Sequence, residues 1–465
     1  MKIYVFFIFF SLSLYNVYAT YDSEYFLISS LTFLAINCCS FTIYFFTGYM
    51  NKTVSLAIKI LLITFCISQS FKYVAYITLS DVYGIGLSDI YLKALFPSWS
   101  IVVSENVLVS ALTVMFGYIS TLTLICIGIA FLSYRYGGNT SLDCSIDLRK
   151  SKYLMYVGVV LVLTSLLLRL KLGLVMGEDS SSNAGGLSGI IVIINTYLGP
   201  TLLLYLATIL VCSGELNKGK NIFLVCFTLS LLNYLFFYTK GSLLIPLFWL
   251  FSIGYIYRPL YTKKTYFSIV VIVLLLYPFM NIYRWVQMSG GDFNKLLFSS
   301  SEMLAESGFN SFIDIFILGA LSIWHRIVGF DSLVVILENV DKININYIDV
   351  MFLGLNIDHY LTYDLIGFKS KMGVSPSQLG RYIFLGGGVL GSFLFSMLVS
   401  LILVFIVYLL SILKELKYLA IVLMIYVFQI SLSGFNLLLF KWWLFTSFVV
   451  VFTSKIIRLQ LNYKI

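Results

Sequence analysis

The two histidines of the chain lie in one region, and one of them stands beside an arginine. His325 and Arg326 occur in the apolar stretch LSIWHRIVGFDSL, and His359 follows in NIDHYLTYDL. Imidazole is the side chain best suited to proton transfer near neutral pH, and guanidinium presents a planar fork of donors that matches phosphate oxygens. These residue types predict a site that binds phosphate and moves a proton. Two surface histidines without a chemical role are the alternative.

Further cations stand in apolar surroundings or at the borders of this region. Arg169 lies inside an apolar run, and a cation at the centre of a membrane helix costs roughly 2.5–3.5 kcal/mol on insertion scales. We therefore expect a phosphate-binding set, with extension of Arg284 and Arg381 to lipid headgroups as the alternative. The predicted set is Arg169, Lys240, Arg284, Arg326 and Arg381.

Three residues are candidates for a general base, and none of them indicates a metal site. His325, His359 and Asp331 all lie in the same region. The histidines are more than thirty residues apart, and the seven cysteines form no CxxC pair, which is a poor ligand set. The sequence therefore predicts no metal, no cofactor and no disulfide framework.

The composition indicates a membrane protein. The chain has 465 residues, of which 60% are hydrophobic, 17% aromatic and only 11% charged. Soluble domains carry roughly 25% charged residues, and about 20 apolar residues span a bilayer as a helix. The sequence predicts an all-α polytopic membrane protein. The net charge of +9 is attributed to cytoplasmic loops and does not indicate nucleic-acid binding.

The apolar runs predict about twelve transmembrane helices. They lie near 3–19, 25–49, 55–79, 104–133, 153–175, 189–212, 221–237, 243–257, 266–283, 383–410, 418–436 and 442–457. The loops alternate between basic and acidic or neutral, which predicts that both termini lie in the cytoplasm. A cleaved signal peptide over the first run is the alternative to an uncleaved first helix.

One long connection divides the chain. Residues 1–283 hold spans one to nine, 284–382 form a large extracytoplasmic loop, and 383–465 hold spans ten to twelve. The loop carries both histidines and ten of the 21 acidic residues, and a loop of this length usually has a function. We expect short helices in it, including a re-entrant or interfacial helix over Phe312 to Trp324, with a further membrane crossing as the alternative. In the span that follows, Gly387 and Gly391 predict close helix packing.

Three segments resemble the Wzy-type repeat-unit polymerases of bacterial O-antigen and capsule synthesis. They are the basic hairpin YTKGSLL, the long loop entered after YPFMNIYRW and containing WHRIVGFDSLVVILENV, and the exit SPSQLGRYIFLGGGVLGSF. The resemblance implies a GT-C-like fold and metal-independent transfer of an undecaprenyl-diphosphate-linked oligosaccharide onto the sugar of a second such unit. The implied partners are this donor and acceptor, membrane lipids and a chain-length regulator protein. A repeated Arg-to-Gly spacing in two outer loops, typical of some members, is absent from the sequence.

Two other functions fit the same topology. An O-antigen ligase has a similar architecture and also transfers lipid-linked glycan outside the membrane. A polysaccharide-lipid flippase or secondary transporter is the alternative from a different class, although transporters usually show paired repeats and polar residues near the bilayer midplane. In this chain the unexplained cations lie near the outer ends of the predicted spans instead, which favours an enzyme.

Overall fold

The computed structural model describes residues 2–75, 104–136, 148–172, 190–192, 194–237, 240–272, 329–342, 378–386, 388–413, 416–434 and 443–452. Within these ranges all regular structure is helical, without a strand. We number the helices α1 (Lys2–Thr20), α2 (Phe26–Phe46), α3 (Lys52–Phe65), α4 (Glu105–Tyr136), α5 (Leu148–Lys171), α6 (Gly199–Cys212), α7 (Leu216–Phe237), α8 (Lys240–Ile256), α9 (Phe330–Glu338), α10 (Gln378–Gly386), α11 (Val389–Ile412), α12 (Lys417–Val422), α13 (Met424–Ser433) and α14 (Trp443–Phe452). A π-helix extends α3 over Cys66–Phe71, and a second one over Ile194–Leu198 precedes α6.

Six helical segments in the described ranges are long and apolar enough to cross a membrane. They are Phe26–Tyr49, Lys52–Ala75, Glu105–Arg135, Ile190–Cys212, Leu216–Phe237 and Val389–Ile412. Shorter apolar helices run over Ser242–Ile256, Lys417–Leu432 and Trp443–Phe452. The chain is therefore an all-helical polytopic membrane protein, as the composition predicts.

The most apolar of these spans, α11, shows how they pack. In α11 the large residues Leu390 and Leu394 face outward, whereas Ser392, Ser396 and Ser400 are buried. The hydroxyls of Ser392 and Ser396 donate to carbonyls of the preceding turn, at 2.6 and 3.0 Å. Because lipid is as apolar as leucine, burying leucine gives membrane helices little advantage, and small residues let their backbones approach closely.

Contacts between helix termini show which termini lie together at each end of the bundle. At one end, which we call the Asn51 end, Asn51 donates to Ser411 Oγ (2.8 Å) and Tyr257 donates to the Cys212 carbonyl (3.3 Å). The other, the loop end, holds the C-terminal parts of α3, α5, α7 and α13 and includes a pair of hydroxyls, Ser29 and Tyr73 (2.8 Å). Each contact joins residues that the alternating loop charges assign to the same side of the membrane.

Part of the predicted outer loop is buried inside the bundle. Helix α9 packs against α4 and α10, and its apolar side chains are enclosed on all sides. At about 1.5 Å per residue this nine-residue helix is too short to cross a bilayer. The expectation that 284–382 forms an extracytoplasmic loop stays a prediction, and within it the described helix α9 is enclosed by other helices. The predicted helix over 312–324 lies outside the described residues.

The predicted tenth span, 383–410, is broken in the structure. Gly388 has φ +126°, a conformation that side chains disfavour, and it separates α10 from α11. Across the break, a Cβ on Gly391 would lie 1.7 Å from the Gly386 carbonyl oxygen. Gly391 thus packs closely against Gly386, and the predicted packing through Gly387 and Gly391 stays a prediction. Gly387 lies outside the described residues.

Candidate functional site

Arg169 is fully enclosed by protein near the C-terminus of α5. Its exposed fraction is 0%. Nη1 donates to Asn233 Oδ1 at 3.0 Å, and the guanidinium carbon lies 4.2 Å from the ring centroid of Phe237. Asn233 and Phe237 are four residues apart on α7 and therefore share a face. Both of these partners are neutral.

Arg381 is also buried, with an exposed fraction of 3%. Its Cβ and Cδ would lie 3.2 Å from a Cβ placed on Gly434, the residue after α13. Gln378, on the preceding turn of α10, donates Nε2 to the hydroxyl of Tyr118 at 3.0 Å. The protein encloses this arginine, so its side chain does not extend to lipid headgroups. For Arg381, this burial contradicts the alternative of extension to lipid headgroups.

Lys72 is a third buried cation, and it is not among the residues predicted from the sequence. It follows the π-helix at the end of α3, and its exposed fraction is 0%. A Cβ on Gly329 would lie 3.0 Å from Lys72 Cδ and 1.7 Å from the Ser68 carbonyl oxygen. The next residue, Tyr73, makes an edge contact with Phe330 at 5.1 Å. The argument applied to Arg169, that a cation within a span needs a reason, could have identified Lys72.

For two further predicted residues, the structure describes the backbone but not the side chain. Asp331 is the second residue of α9, and Lys240 is the first residue of α8. The remaining predicted residues lie outside the described part of the chain and stay predictions: His325, Arg326, His359 and Arg284. Within the described ranges, no three His, Cys, Asp or Glu side chains come together to hold a metal ion.

Helix α9 contacts the elements that carry or adjoin several of the candidate residues. Helix α9 carries Asp331, follows directly on Gly329, and packs against α10, which carries Arg381, and against the π-helix that precedes Lys72. Arg169 lies in a neighbouring group of helices, α5, α6 and α7. The loop end therefore holds buried positive charge in two adjoining helix groups. Away from water, such charges interact with an anionic ligand more strongly than they would at a surface.

No protein-family model matches the chain, no curated protein matches it, and no solved structure matches its fold. Its function is therefore inferred from the residues and their arrangement.

Proposed function

We propose that the chain is a bacterial membrane glycosyltransferase that polymerises undecaprenyl-diphosphate-linked oligosaccharide units into O-antigen or capsule polysaccharide. The reaction takes place at the outer face of the cytoplasmic membrane. The proposal includes the finer topology: about twelve spans, a GT-C-like arrangement and both termini in the cytoplasm.

One observation carries the proposal, the burial of Lys72, Arg169 and Arg381 at the loop end. Insertion of each cation is unfavourable by about 2.5–3.5 kcal/mol at a helix centre and by less towards its ends. An anionic ligand bound there would account for three such groups at one end of the bundle. A lipid diphosphate has the required charge, and it reaches the protein from the bilayer.

The reaction needs positive charge where the leaving group forms. The acceptor hydroxyl oxygen attacks the anomeric carbon of the donor, and the bond from that carbon to the diphosphate oxygen breaks. Negative charge develops on the departing lipid diphosphate, which fixed cations stabilise in the transition state. Arg326, Arg284, Lys240, Arg169, Arg381 and Lys72 are the proposed cations.

A proton must leave the acceptor hydroxyl during the transfer. His325, His359 and Asp331 are the proposed bases, and a direct base of this kind suits a reaction that inverts the anomeric configuration. No metal takes part in the proposed step, because the cationic side chains supply the positive charge.

A carrier of lipid-linked glycan is the second candidate. The π-helices over Cys66–Phe71 and Ile194–Leu198 interrupt apolar segments, and Gly388 breaks a predicted span. Interrupted helices form binding sites in many transporters, and π-helical turns are frequent at functional sites. The two candidates predict different products when the protein is absent.

Deletion of the gene in the producing strain distinguishes the candidates. Loss of the polymerase leaves single repeat units on their final acceptor, loss of a ligase leaves long chains on the lipid carrier, and loss of a flippase keeps units on the cytoplasmic side. Glycan size on electrophoretic gels separates the first two outcomes. Protection of the lipid-linked units from an added glycosidase identifies the third.

Complementation of this strain tests the residues. We expect Arg381→Ala and Arg326→Ala to leave only single repeat units, with Arg381→Lys retaining a fraction of the long chains because it keeps the charge. Arg258→Ala is the control, since Arg258 is exposed. Membrane levels of each variant are measured by immunoblot. Long chains of normal length in the inserted Arg→Ala variants would exclude the proposed phosphate role.

A further inference from the structure

A cavity of about 520 Å³ lies at the Asn51 end, away from the buried cations of the loop end. It is bordered by α2, the turn after α2, α3 and the last turn of α8. Its lining residues are Phe41, Tyr44, Phe45, Thr47, Gly48, Met50, Lys52, Ser55, Lys59 and Tyr255. The lining combines aromatic rings with two lysines, and it includes no acidic side chain.

Tyr255 fixes the position of one of the lysines. Lys59 Nζ donates to the Tyr255 hydroxyl at 2.6 Å and lies 5.0 Å from the centroid of the same ring. On the other side, the ring of Tyr44 is 5.6 Å from this nitrogen. The hydroxyl of Ser55 is 3.3 Å from that of Tyr255. The ammonium group is thus held inside the cavity.

The two lysines present their charge to one ligand. They are seven residues apart on α3, which is about two helical turns, so they lie on the same face and about 10 Å apart along the axis. Among the residues that the structure describes, no carboxylate pairs with either of them. The cavity therefore carries two positive charges and attracts an anion.

The surroundings of the cavity are apolar and open to lipid. The rings of Phe41 and Phe45 are 61% and 53% exposed, on helices that are apolar enough to span a membrane. Such rings contact acyl chains, whereas the lysines are placed for a phosphate. Aromatic and basic side chains together are typical of the headgroup level of a membrane. A free phosphate ion would use the lysines and leave the rings without a ligand.

We propose that this cavity binds an anionic phospholipid, with the headgroup phosphate between Lys52 and Lys59 and the acyl chains along Phe41 and Phe45. The occupant is a lipid of the surrounding bilayer, such as phosphatidylglycerol. This site is separate from the proposed glycosyl-transfer site and does not depend on it. Tyr255 acts as a positioning residue because it holds Lys59 in place.

Lipid binding to the purified full-length protein tests the proposal. The protein is delipidated in detergent, and phosphatidylglycerol, phosphatidylcholine or inorganic phosphate is added separately. Bound lipid is counted by native mass spectrometry, and thermal unfolding is followed by fluorescence. We expect phosphatidylglycerol to bind and to raise Tm by several degrees, while phosphatidylcholine and inorganic phosphate leave Tm unchanged.

The double variant K52Q/K59Q should bind phosphatidylglycerol at least fivefold more weakly. The matched control is K263Q/K264Q, which removes two exposed lysines that are outside the cavity but predicted on the same side; its binding should equal that of the wild type. Tyr255→Phe removes only the hydroxyl and should weaken binding about threefold, which provides a test if the double variant does not fold. Equal binding by K52Q/K59Q, or equal stabilisation by phosphatidylcholine or phosphate, would overturn the proposal.

Discussion

The two ends of the bundle hold their positive charges in different ways. At the loop end Lys72, Arg169 and Arg381 are enclosed by protein. At the Asn51 end Lys52 is exposed and Lys59 half-buried, beside a cavity bordered by α2, α3 and α8. A lysine near the headgroups keeps its charge solvated at little expense, whereas a buried cation is retained only if the protein or a ligand stabilises it. The loop end therefore has the stronger indication of a function that requires charge.

The ends also differ in how closely their backbones pack. At the loop end, a methyl group on Gly329 or Gly391 would lie 1.7 Å from a carbonyl oxygen. In the half of the bundle nearer the Asn51 end, Gly48 and Gly128 have no atom within 4 Å of such a methyl group. Gly219 and Gly254 are closely packed there, but their nearest neighbours are side chains, of Val211 at 2.5 Å and of Tyr266 at 2.7 Å. Close backbone contacts hold α9 against the π-helix and α10 against α11. Substitutions at the two ends should consequently differ in effect.

The largest effect is expected for Gly329→Ala. The new methyl group would overlap the Ser68 carbonyl, so α9 would have to move from its place against α4 and α10. We expect the free energy of unfolding to fall by about 3 kcal/mol, the upper part of the range for overpacked cores, because backbone cannot rotate aside as a side chain can. Thermal unfolding in detergent and glycan length in cells measure the effect.

Gly128→Ala is the matched control for that substitution. Gly128 lies within α4 with open space around it, and alanine favours helix over glycine by up to about 1 kcal/mol. We expect Tm to stay the same or rise slightly. If Gly329→Ala were as stable as Gly128→Ala, the close contact between α9 and the π-helix would not exist in the folded protein.

A smaller effect on stability is expected for Lys72→Met, with a clear effect on activity. Methionine keeps the volume but removes the charge and its hydrogen bonds, so buried partners lose an interaction that contributes about 1–3 kcal/mol. If the charge serves the proposed reaction, cells that carry this variant accumulate single repeat units. Thermal unfolding and glycan length are measured on the same preparations, with membrane levels checked by immunoblot.

Lys218→Met controls for the loss of a lysine as such. Lys218 is exposed and pairs with Glu215 at 3.2 Å on the surface, and such pairs contribute about 0–1 kcal/mol. We expect near-normal stability and normal glycan chains. Long chains in a Lys72→Met strain with normal membrane levels would show that the buried lysine has only a structural role.

Six of the predicted spans correspond to helices long and apolar enough to cross a membrane, because length and hydrophobicity are local properties. The predicted span 25–49 corresponds to the segment Phe26–Tyr49, and 104–133 corresponds to Glu105–Tyr136. The break at Gly388 and the burial of α9 were not predicted. Both depend on contacts between segments, such as Gly329 with Ser68, that no local pattern records.

Some residues of the candidate site could likewise be selected from local sequence. Arg169 and Arg381 could be selected because a cation in an apolar surrounding is unusual in any sequence. The partner of Arg169, Asn233, is 64 residues away and could not be selected. Lys72 carried the same local signal as Arg169 and was overlooked. The sequence thus indicates in part which cations are buried, whereas the residues that contact each cation are known only from the folded structure.

The smallest effect is expected at the Asn51 end, where hydrogen bonds rather than close backbone contacts join the helices. Asn51 caps α3 by accepting from Val54 N (2.9 Å) and also donates to Ser411 Oγ (2.8 Å). We expect Asn51→Ala to lower the free energy of unfolding by about 1–2 kcal/mol, most of it from the lost cap. Ser411→Ala keeps the cap and should lower it by about half as much.

Chemical denaturation of the two variants side by side measures this difference. The cap is absent only from Asn51→Ala, whereas Ser411→Ala also loses the bond from Ser411 Oγ to the Tyr408 carbonyl (2.7 Å), so the gap between the two values is a lower bound on the contribution of the cap. A loss from Asn51→Ala as large as that from Gly329→Ala would mean that both ends of the bundle are held equally tightly. The contrast between a closely packed, charge-burying loop end and a looser Asn51 end would then be wrong.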